Sequence, residues 1–272
     1  MADGRRFGDL AYWVLVFGLG GLALLILVTP VVVVLVTSFT SEASLRFPPP
    51  GLSLQWYTDL FDPSRSRHIH TAAWNTLTVA AWSAGIAMVV ATLAALWLHR
   101  HQSPLGRTAD TVFMSPLVLP LLAFGLAALI LISMLRERPS IFWLTAGHLV
   151  VVAPFVLRTT LASLTQLDQA LLDSSKSLGA SPLYTFRRVT LPIILPGIAA
   201  GTFLAFMASV DNVPVSLFLS SARTDMLPIR MWGMMESSLD VRVAAASGVL
   251  IVAALVLLLL MERLAGLTRR LS

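Results

Sequence analysis

Few side chains in this sequence are placed to do chemistry, and the most conspicuous is Asp211. It interrupts an apolar run from about Leu191 to Ser220, and it is the one acidic residue expected inside such a run. A charge in hydrocarbon costs roughly 2.5–3.5 kcal/mol even on lenient scales, so it is expected to face a cavity or a partner group. Lining a pathway with Ser209 and Asn212, it would favour a positively charged solute. The other readings are that it pairs with a neighbouring helix or sits near the outer surface. Pro214 follows and frees a backbone carbonyl, which bends the helix for packing or bares polar backbone near Asp211. His148 is the one histidine inside an apolar run and is expected to be a hydrogen-bonded packing residue. Asn75 opens another run and can hydrogen-bond across helices.

Other chemistries lack their parts. A phosphate loop needs Gly-x4-Gly-Lys-Ser/Thr, so that amides and a lysine cradle the phosphates. Lys176 is the only lysine, and no such glycines precede it. Cysteine is absent, which excludes disulfides and thiolate metal sites. An intramembrane serine protease would need a base opposite a glycine-flanked serine, and none accompanies His148. The pairs His68/His70 and His99/His101 have no carboxylate or third histidine at ligand spacing. The expectation is therefore no catalytic residue, no metal and no cofactor in this chain.

The surrounding elements read as membrane helices. Of the 272 residues, 57% are hydrophobic and 12% charged, against about 25% charged in soluble domains. A span needs about 20 apolar residues. Six stretches qualify or nearly so: between Asp9 and Glu42, His70 and His99, Asp110 and Arg136, Arg138 and Arg158 (the shortest), then from about Leu191 to Ser220 and from about Val243 to Met261. The first is longer than a signal-peptide core and is expected to be a retained helix. The net charge of +5 is almost wholly arginine, without the basic stripe and interleaved aromatics of a nucleic-acid binder. With both termini cytoplasmic, 11 basic residues fall inside and 8 outside, which favours that orientation. The expected fold is an all-α integral membrane protein with six transmembrane helices. It divides into an N-terminal helix with outer loop (1–69), a core (70–264) and a short basic tail (265–272). In the outer loop, Pro48-Pro49-Pro50-Gly51 favours an extended stiff connection, and Trp56 and Tyr57 suit a membrane interface. In the last outer loop, Met226, Met231, Met234, Met235 and Trp232 make an adaptable apolar surface, either packed at the interface or open to a partner.

The segment 164–190 is too long for a plain connector. Leu164, Leu167, Leu171 and Leu178 recur near helical spacing. Asp168 suits an N-cap, and Gly179 a left-handed helix end. Ser181-Pro182 restarts a helix as a cap and first-position pair. The spacing predicts a short helix, a sharp turn and a second short helix at the inner membrane face, either lying in the interface or inserting into a partner.

These residues resemble the cytoplasmic loop of ABC importer permeases: Glu-Ala-Ala, three residues, Gly, nine residues, then Ile-x-Leu-Pro. This chain has Asp173-Ser174-Ser175, Gly179-Ala180 and Val189-Thr190-Leu191-Pro192 at the same spacings, with Asp for Glu and Ser for Ala. Phe47-Pro48-Pro49-Pro50-Gly51 and Asn75-Thr76-Leu77 resemble the outer loop and second helix of this family, and the run from Ser209 to Leu219 and Leu227-Pro228-Ile229-Arg230 are similar to its spermidine/putrescine permease group. Asn212 stands where that group often carries a second acidic residue. The resemblance implies a type I ABC importer (MetI-like) transmembrane domain in the bacterial inner membrane. It implies ATPase subunits that bind ATP and Mg and grip the loop. It also implies a second permease subunit, with a heterodimer favoured, and a periplasmic or lipoprotein solute-binding protein. The implied cargo is polyamine-like, or else an opine or amino-acid-like solute, an organophosphonate or ferric ion. An ion-coupled secondary transporter is the remote alternative, since it needs no such loop.

Overall fold

The computed structural model describes residues 3–101 and 103–270, so Leu271 and Ser272 of the expected basic tail lie outside the described residues. The described residues are helical or irregular apart from one isolated antiparallel bridge between Thr40 and Leu52. The chain forms two compact units, Met1–Ser66 with Met234–Val252, and Arg67–Gly233 with Ala253–Ser272.

In the first unit, α1 (Asp3–Thr37) is a long apolar helix, exposed on all sides from Tyr12 to Val32. Its end is polar and buried: Thr37, Ser38 and Thr40 are covered, and Ser38 Oγ shares a 2.8 Å hydrogen bond with Tyr57 Oη. Tyr57 belongs to α2 (Gln55–Phe61). The proline-bearing loop is not the extended connection that its composition predicts. It folds back on the end of α1, where Ser41 N–H donates to Gly51 O at 3.0 Å and Ser53 N–H to Phe39 O at 2.7 Å. Pairing these backbone groups decides the path over the stiffness of the prolines. Arg242 joins the same unit, chelated by Asp240 and donating from Nη1 to Arg65 O at 2.9 Å.

In the second unit the remaining helices are α3 (Pro63–Arg100, which enters from the first unit through a non-helical Ser66), α4 (Pro104–Met114), α5 (Leu121–Met134), α6 (Ile141–Leu164), α7 (Gln169–Ser177), α8 (Pro182–Thr185), α9 (Leu191–Val210), α10 (Val213–Leu219), α11 (Leu227–Ser238) and α12 (Arg242–Arg270), the last two shared between the units. Among the described residues, five helices are long and apolar enough to cross a membrane, or six if α4 and α5 count together as one span. That pair stands where the sequence places the third span, between Asp110 and Arg136. It bends by 99° between Leu117 and Leu121, because Pro116 and Pro120 remove amide donors on both sides of the bend. The fourth span also differs: α6 runs 24 residues and carries Arg158 within it. Arg158 Nη2 lies 3.2 Å from Asp110 Oδ2 on α4, and its Nε donates to Met114 Sδ at 3.0 Å. Ion pairing lets a cation sit inside a helix that the sequence alone would end at the charge.

The core lies along α6 and α9. Val152, Val156 and Leu157 pack with Ile194, Ile198 and Ala205, and Ala84, Ala87, Ala91 and Ala95 of α3 close the third side. Helices in lipid gain little from burying apolar surface, so small residues that permit close contact hold them together. Gly197 and Gly201 mark two tight points between α9 and α6. A methyl at Gly201 would sit 2.7 Å from Val156 Cα and 2.1 Å from Thr159 Oγ1.

Candidate functional site

The segment after α6 folds as its sequence predicts. Asp168 Oδ1 accepts the Ala170 N–H at 2.9 Å and starts α7. Gly179 ends it with φ +78°, a conformation costly for residues with a Cβ. The Gly179 N–H donates to Lys176 O at 2.9 Å and the Ala180 N–H to Ser175 O at 3.1 Å, the pair of bonds that closes a helix end. Ser181 Oγ then accepts the Tyr184 N–H at 3.3 Å and Pro182 opens α8.

Tertiary contacts turn these helices into one rigid hairpin. Ser175 Oγ and Thr185 Oγ1 share a buried 2.8 Å hydrogen bond that ties α7 to α8. Asp173 is exposed, 3.3 Å from Lys176 Nζ and accepting from Gln169 Nε2 at 3.2 Å. Ser174 is exposed, and Ala180 and Leu191 are half-buried. The second arm does not stop at Thr185. It continues through a wider helical turn (Phe186–Thr190), past Pro192, into α9, so that 182–210 is one uninterrupted rod. The tip is apolar and bare: Leu178 is 87% exposed and Leu183 60%. A bare apolar tip on a stiff arm has the form of a plug for a partner's groove. Between the hairpin and the ends of α3 and α6 lies a cavity of about 540 Å³, edged by His99, Arg100 and Lys176.

The rod ends at the other predicted site. The sequence places Asp211 inside a span from about Leu191 to Ser220, and the structure corrects this. Helix α9 stops at Val210, and Asp211 is the exposed residue of a break before α10. Asn212 causes the break: its Oδ1 accepts the Val215 N–H at 3.0 Å and caps a new helix, with Pro214 in the first turn. A capping side chain satisfies amides that would otherwise continue the α9 ladder. Among the described residues, no basic side chain forms an ion pair with Asp211.

Ser209 is not open to a cavity here. It is fully buried, and its Oγ meets His148 Nδ1 at 2.8 Å and receives a bond from Ser83 Oγ at 3.1 Å. The expected packing role of His148 fits this arrangement. Its Nε2 also meets Ser216 Oγ at 3.2 Å. Asn75 Nδ2 donates to Asp225 O at 3.0 Å, and Thr76 Oγ1 accepts the Leu227 N–H at 2.8 Å, so α3 grips the start of α11. Arg230 pairs with Asp225 there. Sequence reasoning missed Ser83, Ser216 and Thr185, since isolated hydroxyl residues give no periodic signal. Among the described residues, no three metal-binding side chains gather.

Residues 87–270 match the family described as binding-protein-dependent transport system inner membrane component. The chain is 30% identical over 237 residues to the spermidine/putrescine transport system permease protein PotC of Haemophilus influenzae, covering 85% of this chain and 89% of that protein. It is 28% identical over 228 residues to the putrescine transport system permease protein PotI of Escherichia coli, covering 80% and 79%. A chain in the crystal structure of a bacterial ABC transporter involved in the import of the acidic polysaccharide alginate superposes with TM-score 0.70 at 17% identity, covering 98% of this chain and 99% of that one, a likeness of fold alone. With its apolar helices and a match over most of its length, the chain belongs to the family of binding-protein-dependent inner membrane transport components, the permease subunits of ABC importers.

Proposed function

We propose that this permease carries a small cationic solute of the polyamine class and is driven through the hairpin 164–190 by a separate ATPase that binds ATP and Mg. The observation that carries the reading is the continuous rod 182–210, which joins the hairpin tip to the exposed Asp211 at its far end. When the ATPase subunits close, the sockets that hold the apolar tips draw together. A rod with no internal break transmits that displacement along its axis instead of absorbing it in a loop. Asp173, Ser174, Ser175, Gly179, Ala180, Leu191 and Pro192 shape and aim the lever. Asp211, with Asn212 beside it, supplies negative charge where the rod ends, and a cation crossing there exchanges part of its hydration for that charge.

The names of the polyamine permeases that the chain resembles support a polyamine cargo, and the single carboxylate agrees with a cation. The same reading has both termini in the cytoplasm and a second, homologous permease as partner, with solute delivered by a binding protein. The test is solute-stimulated ATP hydrolysis by the complex reconstituted with its ATPase, partner permease and binding protein. Putrescine and spermidine are expected to stimulate most. Stimulation by an organophosphonate, an opine or ferric ion, with none by either polyamine, would overturn the assignment of the cargo.

A further inference from the structure

One buried side chain spans the break in the rod. His148 of α6 touches Ser209, which precedes Asp211, and Ser216, which follows it. One ring nitrogen goes to each side, at 2.8 Å and 3.2 Å, and all three residues are 0% exposed. A neutral imidazole offers one donor and one acceptor, and a hydroxyl can play either part, so both contacts are satisfied in either tautomer. Ser83 adds a tie to α3 at 3.1 Å. Helix α10 has only seven residues, too few to hold a helix alone. It lies against Gly125 of α5 and Gly147 of α6 through apolar contacts, and Ser216 is its only polar side chain. A histidine kept only for packing needs a partner for each nitrogen on any element. Here the partners lie on opposite sides of a single break, and Asp211 projects between the two tied points.

We infer that His148 is a positioning residue for transport: it clamps the angle between α9 and α10, and so sets where Asp211 presents its charge, without meeting the solute itself. This rests on the reading of Asp211 as a pathway residue. A loosened clamp lets the α9 rod move while the Asp211 segment lags, so ATP is spent with less solute moved. The ratio of solute transported to ATP hydrolysed is therefore the informative quantity. A purely structural defect lowers the amount of assembled complex and scales both rates together, leaving the ratio unchanged.

The experiment uses the full complex in proteoliposomes, with the solute that stimulates wild type best. His148→Leu, which removes both ties, is expected to lower solute moved per ATP by fivefold or more, with ATP hydrolysis per assembled complex within twofold of wild type. His148→Gln keeps a donor and an acceptor and is expected to recover at least half of the lost ratio. The double variant Ser209→Ala/Ser216→Ala, which leaves the ring in place, should reproduce the His148→Leu loss. Adding Asp211→Asn to His148→Leu should cost little more, because residues that act as one unit are not additive. A wild-type ratio in His148→Leu overturns the inference. If that variant does not assemble, a wild-type ratio in the Ser209/Ser216 double variant overturns it instead. A wild-type complex that moves only a neutral or anionic solute sinks the polyamine reading, while the ratio test of the clamp still applies to that solute.

Discussion

The hairpin at 168–190 and the break at 209–216 sit at opposite ends of one rod and are built in opposite ways. The hairpin is held by neighbours in sequence. Its caps at Asp168 and Ser181 and its turn at Gly179 act within a few residues. The Ser175–Thr185 tie spans only ten residues. The break is held from afar: Ser83 and His148 reach Ser209 across 126 and 61 residues of sequence, and His148 reaches Ser216 across 68. The hairpin is mostly exposed, and the break is buried or half-buried apart from Asp211. A part that must fit many orientations of a partner can be made locally and stand proud of the body. A part that must hold one angle between two helices needs ties from several others.

Substitutions can break or sharpen that contrast. Gly179→Pro should have the largest effect. Proline fixes φ near −65° where the chain needs +78°, so uptake should fall to background, through lost assembly or through ATP hydrolysis that no longer drives transport. Uptake at the wild-type rate would end the idea of a lever. Gly201→Ala tests a glycine required by tertiary contact instead of by turn geometry. The added methyl meets the backbone of α6, and overpacking of this kind typically costs 1–3 kcal/mol. Folded protein recovered from the membrane should drop severalfold, whereas Gly179→Ala, in open space, should leave recovery nearer wild type and lower coupling instead. Equal recovery of the two would erase the distinction between local and tertiary glycines.

Asp211→Asn should lower uptake of a divalent amine by several-fold while recovery and hairpin docking stay as in wild type. Unchanged uptake kinetics would take Asp211 out of the pathway. Ser175→Ala should have the smallest effect. It removes one buried hydrogen bond, worth about 1 kcal/mol, and leaves Thr185 Oγ1 without that partner. A drop of about twofold in affinity for the ATPase is expected, measured by co-purification under increasing detergent. A loss as large as that of Gly179→Pro would mean that the tie, and not the turn, governs the hairpin.

What was legible followed the range of the forces. Caps, the glycine turn and the gapped motif could be read at 168–192 because each works through bonds between close neighbours in the chain. The apolar runs announced the spans, since hydrocarbon demands them regardless of packing. Their ends were harder. Arg158 looked like a boundary because its partner Asp110 lies on another helix. The third stretch looked continuous because hydropathy does not register that Pro116 and Pro120 together stop the backbone ladder. Ser209 looked like a lining residue because its neighbour Asp211 is charged, although its hydroxyl turns to His148.

By itself the sequence determined that this chain lives in the membrane, that it carries a short helical hairpin with a glycine turn between two spans, and that it has no phosphate loop. Composition and short-range hydrogen bonding decide those matters. The tertiary structure alone decided that the hairpin and α9 form one rod, that Asp211 lies at a break instead of within a span, and that a histidine on another helix ties that break. Those are matters of which helix lies against which, and contact between residues far apart in the chain leaves no mark in the spacing of either.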